Sequence, residues 1–245
     1  TFIVDIMSLG SGGEGVGLLP SGKKVFVDSP VIPGESCEIC ITEEKSKFAR
    51  GKCIRLIDES DERVIPFGEE VPGVELAHMS YQAQLKYKYD KVRDCLLRQG
   101  GFEPDFADQV MRDIVPAERK LHYRNHMQYS LKDGKFCLKA RSSSDDVIVN
   151  NSPLEYEVFA RVRDVMTRIF ADYPTRLWGG VVIRGSERTS QILIELVSYL
   201  ANTSEIILRD SKEYLDATSM VSKLDEALGS FEISGIVLRI SNTST

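Results

Sequence analysis

The chain has 245 residues, 42% of them hydrophobic and 28% charged, with a formal net charge of −6. That balance is ordinary for a globular protein, and the length suits one large domain or two smaller ones. It excludes a protein that coats nucleic acid over its whole surface, which would be basic, and no run of about 20 apolar residues offers a membrane span.

The N-terminus lacks the basic-then-apolar pattern of a secretory signal. The cysteines (Cys37, Cys40, Cys53, Cys95 and Cys137) are five, an odd number spread over a long chain. Both features predict a reduced, cytoplasmic setting without disulfides.

Taken in order, the first feature is Gly10-Ser11-Gly12-Gly13-Glu14-Gly15, which spells G-x-G-x-x-G. A dinucleotide loop of that spelling needs a helix directly after it, whose amides bind pyrophosphate. Gly17, Pro20 and Gly22 forbid one, and "KKVFV" beyond them reads as a strand. The glycines therefore predict a tight corner of a small barrel. "SCEICI" and "ARGKCIRLI" continue the series of short strands. Together the first 58 residues predict an all-β, OB-like barrel. Cys37 and Cys40, three apart in a strand, point to opposite faces, so they read as small strand residues rather than half of a zinc site.

Lys45, Lys47, Arg50, Lys52 and Arg55 follow with no acid among them and Phe48 in their midst. Cations that track phosphate beside a ring that stacks a base suit single-stranded nucleic acid. Lysines that protect a strand edge from pairing are the other reading. Residues 59–78, rich in Asp, Glu, Pro and Gly, read as a linker. Ser80 can cap a helix over residues 81–99, with Tyr81, Leu85, Tyr89, Val92 and Leu96 as its apolar stripe.

A second basic stretch, residues 118–141, holds "HMQYSLKDGKFCLKA", a hairpin turning at Asp133-Gly134. Ser152-Pro153-Leu154-Glu155 reads as a capping box opening a helix that stops by Pro174. "GGVVIRGSERTSQILIELVSYL" reads as two strands, followed by a helix near residues 212–228 and a last strand, "ISGIVLRIS". Residues 102–245 thus predict an α+β domain with antiparallel strands. No catalytic constellation stands out, and His78, His122 and His126 are not in metal-ligand spacing.

Several pieces together, "GSGGEGVG", "KKVFV", "VIPGE", "KSKFARGK", "SDERVIP", "HMSYQAQLKYKYDKVRDCLLRQGGF", "YRNHMQYSL" and "SGIVLRISNTST", resemble the RNA 5-methyluridine (uracil-C5) methyltransferases of the TrmA/RumA type. The resemblance runs along essentially the whole chain and identifies the first barrel as similar to a TRAM domain. It implies an RNA partner, ribosomal or transfer, contacted by Lys45, Lys47, Phe48, Arg50 and Lys52 on the barrel. On the central strand it implies Arg124, Asn125 and Gln128. In the family a cysteine attacks uracil C6, which makes C5 nucleophilic toward the methyl of S-adenosylmethionine.

The motifs of that cofactor domain are not found here. The resemblance therefore predicts a chain without the Rossmann-like methyltransferase domain, the front half of such an enzyme. S-adenosylmethionine would be bound outside it, and the chain would be inactive alone. In that setting the helix at 79–101 would dock on the missing domain. Many members hold a [4Fe-4S] cluster on cysteines; Val71, Val74 and Ser152 stand near those places here, so no cluster is expected. A non-catalytic RNA-binding or assembly module is the other reading, and a TRAM-bearing methylthiotransferase is disfavoured by "YRNHMQYSL".

Overall fold

The computed structural model describes residues 1–28, 30–65, 72–140, 145–173, 178–198 and 212–240, with backbone alone at 212, 213 and 240. The chain divides into two compact units, Thr1–Glu69 with Val74–Glu118, and Glu70–Gly73 with Arg119–Thr245.

In the first unit the short strands are β1 (Phe2–Asp5), β2 (Ser8–Leu9), β3 (Gly15–Leu18), β4 (Lys24–Asp28), β5 (Ser36–Glu44) and β6 (Phe48–Asp58). They form one six-stranded sheet in the order β1-β5-β6-β4-β3-β2. Strand alternation buries Val4, Val25, Val27, Cys37, Ile39 and Ala49 in a common core. The glycine corner has two distinct causes. Gly13 turns with φ 87°, where a side chain would be strained. At Gly17 a Cβ would lie 2.6 Å from the carbonyl oxygen of Asp5, so β3 can approach β1 only without a side chain. A strand follows this corner directly, as the breakers Gly17, Pro20 and Gly22 require.

Among the described residues of 1–58 every element is a strand, as expected, but the direction of one pairing was not legible in the sequence. β4 and β6 pair parallel, so the sheet is mixed. Two helices, α1 (Tyr81–Arg98) and α2 (Pro104–Val110), also belong to this compact unit. Ser80 caps α1 by accepting from the Ala83 amide at 3.1 Å. Leu85 is buried, the Tyr87 hydroxyl donates to the Gly10 carbonyl at 2.8 Å, and the Lys91 ammonium donates to that of Ser11 at 2.7 Å. Period-2 patterning fixes which face of a strand is buried, not which neighbour it pairs with or in which direction.

The second unit holds β7 (His126–Lys132), β8 (Lys135–Lys139), β9 (Asp146–Ile148), α3 (Glu157–Phe170), β10 (Gly180–Ser186), β11 (Gln191–Ser198), α4 (Lys212–Ala227) and β12 (Ile233–Ile240). Its six-stranded sheet runs β12-β11-β10-β7-β8-β9. Asp133 and Gly134 take φ 50° and 74° at the β7–β8 turn, as a two-residue hairpin demands. One core cluster gathers Met127, Tyr129 and Phe136 from the β7–β8 hairpin, Phe159, Val162 and Met166 from α3, and Met220 and Leu224 from α4.

Here the antiparallel expectation is corrected. β12 pairs parallel with β11, and the chain between these parallel neighbours includes α4, since a parallel pair needs a crossover. The capping box is not formed either. α3 begins at Glu157 after Tyr156, while Ser152 and Glu155 are buried, each about 1% exposed. Glu155 is instead paired with Arg163: its carboxylate accepts from the Arg163 guanidinium at 2.5 and 3.2 Å and from the Tyr129 hydroxyl. Arg163 also donates to the Val149 carbonyl at 2.8 Å.

Candidate nucleic-acid interface

β5 and β6 close a hairpin through the Lys45 amide, which donates to the Phe48 carbonyl at 2.9 Å. Along β6, Ala49 and Gly51 are buried while Arg50 and Lys52 are exposed and Phe48 half-buried. Parallel pairing sets Lys24 opposite Phe48 and Phe26 opposite Arg50, so the outward face gathers two rings among cations. Phe26 and Phe48 meet edge to face, with centroids 5.6 Å apart and planes at 85°. The Lys45 ammonium lies 5.5 Å from the Phe48 centroid, and the Arg50 guanidinium 5.8 Å from that of Phe26. Lys45, Lys47, Phe48, Arg50 and Lys52 thus share one hairpin and the face that continues it.

Lys24 and Phe26 complete this surface and were missed in the sequence. The alternation in "KKVFV" puts them on one face of a strand; their place beside Phe48 depends on the β4–β6 pairing. The acids were missed for a similar reason. No Asp or Glu lies within residues 45–55, yet β5 brings Glu43 to Lys45 at 3.0 Å and to Arg50 at 3.8 Å, and Glu38 to Arg55 at 3.1 Å. Glu44 takes Lys23 at 2.6 Å. Such exposed pairs are weak, on the order of 0–1 kcal/mol. Among the described residues Lys24, Lys47 and Lys52 have no ion-pair partner and are free to meet phosphate.

The loop before β5 is fastened by a buried acid. Glu35, from "VIPGE", is fully buried and accepts from Arg63, of "SDERVIP", at 2.5 and 2.7 Å, and from the Ile32 amide at 2.9 Å. Burial would raise the Glu35 carboxyl, but the Arg63 hydrogen bonds and the Ile32 amide outweigh it and hold it below the usual carboxylate range. His78, 3% exposed, lies 3.4 Å from the Val31 carbonyl, and burial lowers its pKa.

In the second unit Arg124 is half-buried. Its amide donates to Leu154 at 2.7 Å, its carbonyl accepts from Tyr156 at 3.1 Å, and its guanidinium lies against Gly73. The Asn125 carbonyl accepts from the Gly185 amide at 2.8 Å. Gln128 is exposed on β7 opposite Val182, with His126 opposite Arg184 on the same face. The buried polar network of this unit is therefore Tyr129–Glu155–Arg163, next to the sequence candidates rather than among them.

Burial pushes the Cys37 thiol up to about 12, with Cys53 adding to the effect, and burial also raises Cys137. Neither is a thiolate nucleophile at neutral pH. Among the described residues no group of three or more His, Cys, Asp or Glu side chains could hold a metal ion. Val71, one of the positions weighed for a cluster ligand, lies outside the described residues. No helix among them is long and apolar enough to cross a membrane.

Residues 1–54 match the TRAM domain family. The chain is 34% identical over 136 residues to an RNA methyltransferase of Chlorobaculum tepidum, covering 54% of this chain and 27% of that protein. It is 27% identical over 237 residues to the RNA methyltransferase YwfF of Lactococcus lactis, covering 90% of this chain and 44% of the relative. With the 23S rRNA (uracil(1939)-C(5))-methyltransferase RlmD of Vibrio parahaemolyticus it shares 29% identity over 154 residues, 62% of this chain and 35% of the relative. Its fold is similar to that of Pyrococcus abyssi tRNA (uracil-54, C5)-methyltransferase, solved with S-adenosyl-L-homocysteine. The TM-score is 0.64 at 14% identity, over 99% of this chain and 52% of that one. The chain thus spans about half, or less, of the length of these relatives.

These matches overturn the expectation of a chain set apart by a missing Rossmann-like domain. The likeness to methyltransferases runs over 90% of the chain in one relative and 99% in the solved fold. Along 99% of its length the chain's fold is similar to part of that solved structure, and where the chain stops decides nothing about further domains. Its expected inactivity alone, and S-adenosylmethionine bound outside it, lose their basis with that reading.

Proposed function

We propose that this chain, a TRAM-bearing relative of the RNA (uracil-C5)-methyltransferases of the TrmA/RumA type, serves S-adenosylmethionine-dependent methylation of uracil C5 in ribosomal or transfer RNA. The observation that carries the RNA part is the Phe26–Phe48 pair, with Lys24 opposite Phe48 and with Lys47 and Lys52 on the same hairpin, these three lysines having no ion-pair partner among the described residues. Rings offer a face to a base and lysines neutralise the strand that carries it. Lys45 and Arg50 hold positions over the rings, and Glu43 between them tempers their charge. In the second unit the same reading assigns Arg124, Asn125 and Gln128 to the RNA side, with Asn125 and Gln128 exposed and Arg124 half-buried.

Support for the chemistry comes from the uracil-C5 methyltransferase activity of the Vibrio parahaemolyticus relative and of the Pyrococcus abyssi enzyme, which was solved with S-adenosyl-L-homocysteine. S-adenosylmethionine would supply the methyl group. No described residue of this chain is assigned to attack or to proton removal.

Two measurements test the reading. In fluorescence anisotropy, Lys47→Ala/Lys52→Ala is expected to flatten the slope of log affinity against log salt by about 1.4, the value for two phosphate contacts on a single strand. An unchanged slope removes these lysines from the interface. RNA labelled with tritium at uridine C5 should release tritium when S-adenosylmethionine is added, because methylation displaces that hydrogen. RNA binding without release would favour the non-catalytic module.

A further inference from the structure

We propose that RNA bound at the Phe26–Phe48 platform continues into the groove between β3 and α1, and that the ligand there is an unpaired strand rather than a duplex. The proposal rests on the RNA reading above and extends the same surface.

The groove has a volume of about 840 Å³ and lies within the first unit. Val16, Leu18, Lys24 and Phe26 line one side of it, and Ala83 and Tyr87 of α1 line the other. The first wall is also the platform. Leu18 pairs with Lys24 and Lys24 with Phe48; Val16 pairs with Phe26 and Phe26 with Arg50. Platform and groove wall are therefore one sheet face without a break.

Its chemistry suits bases more than a folded partner's charges. Leu18 is 48% exposed and Met7, also lining the groove, 66% exposed, so apolar surface lies open beside an unpaired Lys24. The acids on the α1 side are already engaged: Asp90 with Lys86 at 2.5 Å and Asp94 with Arg98 at 3.4 Å. Glu62 accepts from the Ser80 hydroxyl. The helix wall is anchored to the glycine corner by Tyr87 and Lys91, so the groove is preformed and binding pays little to order it. A duplex hides its base faces in its own stack and has nothing to offer Leu18 or the rings, whereas an unpaired strand can lay bases on both.

The test uses the full chain and labelled RNAs of about 5 and about 12 nucleotides, bracketing what the platform and the extended path would hold, with a blunt duplex of the longer sequence. The longer single strand is expected to bind about tenfold tighter than the shorter, as a few extra stacked bases allow. Leu18→Ala, which trims the apolar wall without setting a charge opposite Lys24, and Ala83→Trp, which fills the groove from the helix side, should each remove that length advantage, and Ala83→Trp should leave short-strand binding unchanged. Phe48→Ala should weaken both lengths. If the length advantage survives both groove substitutions, the groove assignment is overturned while the platform stands. Should the duplex bind as tightly as the single strand, the unpaired ligand is overturned. Failure of the unsubstituted chain to bind any of the RNAs would overturn the RNA reading itself.

Discussion

Glu43 lies within 3.0 Å of Lys45 and 3.8 Å of Arg50, the two cations nearest the ring pair. All three side chains are about half exposed, so the attraction is weak, and each pairing would be broken when a phosphate arrives. Glu43→Gln should therefore raise affinity for single-stranded RNA by about two- to fivefold, the scale of an exposed ion pair, and steepen the salt dependence. Anisotropy titrations at several salt concentrations check this; unchanged affinity would place Lys45 and Arg50 away from phosphate. The residue types of this patch were legible in "KSKFARGK", because basic and aromatic letters declare their chemistry. Their counter-charges were not, since Glu43 faces Arg50 only through the bulged β5–β6 register.

At the scale of elements, α3 is held by charge as well as by its apolar stripe. Val162, Met166 and Phe170 bury themselves as period 3.6 predicts, but Arg163 is 3% exposed between Glu155 and the Val149 carbonyl. Glu155→Gln leaves a buried guanidinium without its counter-charge and should cost about 3–5 kcal/mol. Glu155→Leu with Arg163→Met removes both charges and should cost clearly less than the single substitutions combined. Urea unfolding followed by the fluorescence of Trp178, which is 4% exposed and belongs to this core, measures both. In sequence Glu155 looked like a cap because Ser-Pro-x-Glu is the spelling of one. The hydrogen bonds to Arg163 and Tyr129 come from other elements and could not be read locally. α1 was legible as a helix from Ser80 to Gln99. That its Tyr87 and Lys91 hold the glycine corner was not, because those bonds span 77 and 80 residues.

For the molecule as a whole, acid is the expected weak point. The Glu35 carboxyl is held below its ordinary value, so its contribution is complete above the unfolded carboxylate pKa and is lost as pH falls through the folded one. His78 acts in the same direction: its folded pKa is depressed, the unfolded chain binds the proton more readily, and stability falls as pH drops through about 6.5 and below. Urea midpoints should thus decline from pH 7 to pH 3. Glu35→Gln should be less stable at pH 7 and lose part of the decline below about pH 4.5. An identical pH profile in the variant would remove Glu35 as a source.

The net charge of −6 already confined any RNA contact to local patches. The letters alone determined that the first glycines bend a strand rather than cradle a cofactor, because Gly17, Pro20 and Gly22 forbid the helix such a loop needs. They also determined the short strands, the helix after Ser80 and the presence of a cationic, aromatic hairpin, since each follows from side-chain periodicity or backbone freedom within a few residues. Only the tertiary structure decided that β4 lies parallel to β6, setting Phe26 beside Phe48, that Glu35 closes on Arg63, and that β12 joins β11 in parallel. Those are choices of partner between segments far apart in the chain. They are made by the fit of whole faces, which no local pattern of residues encodes.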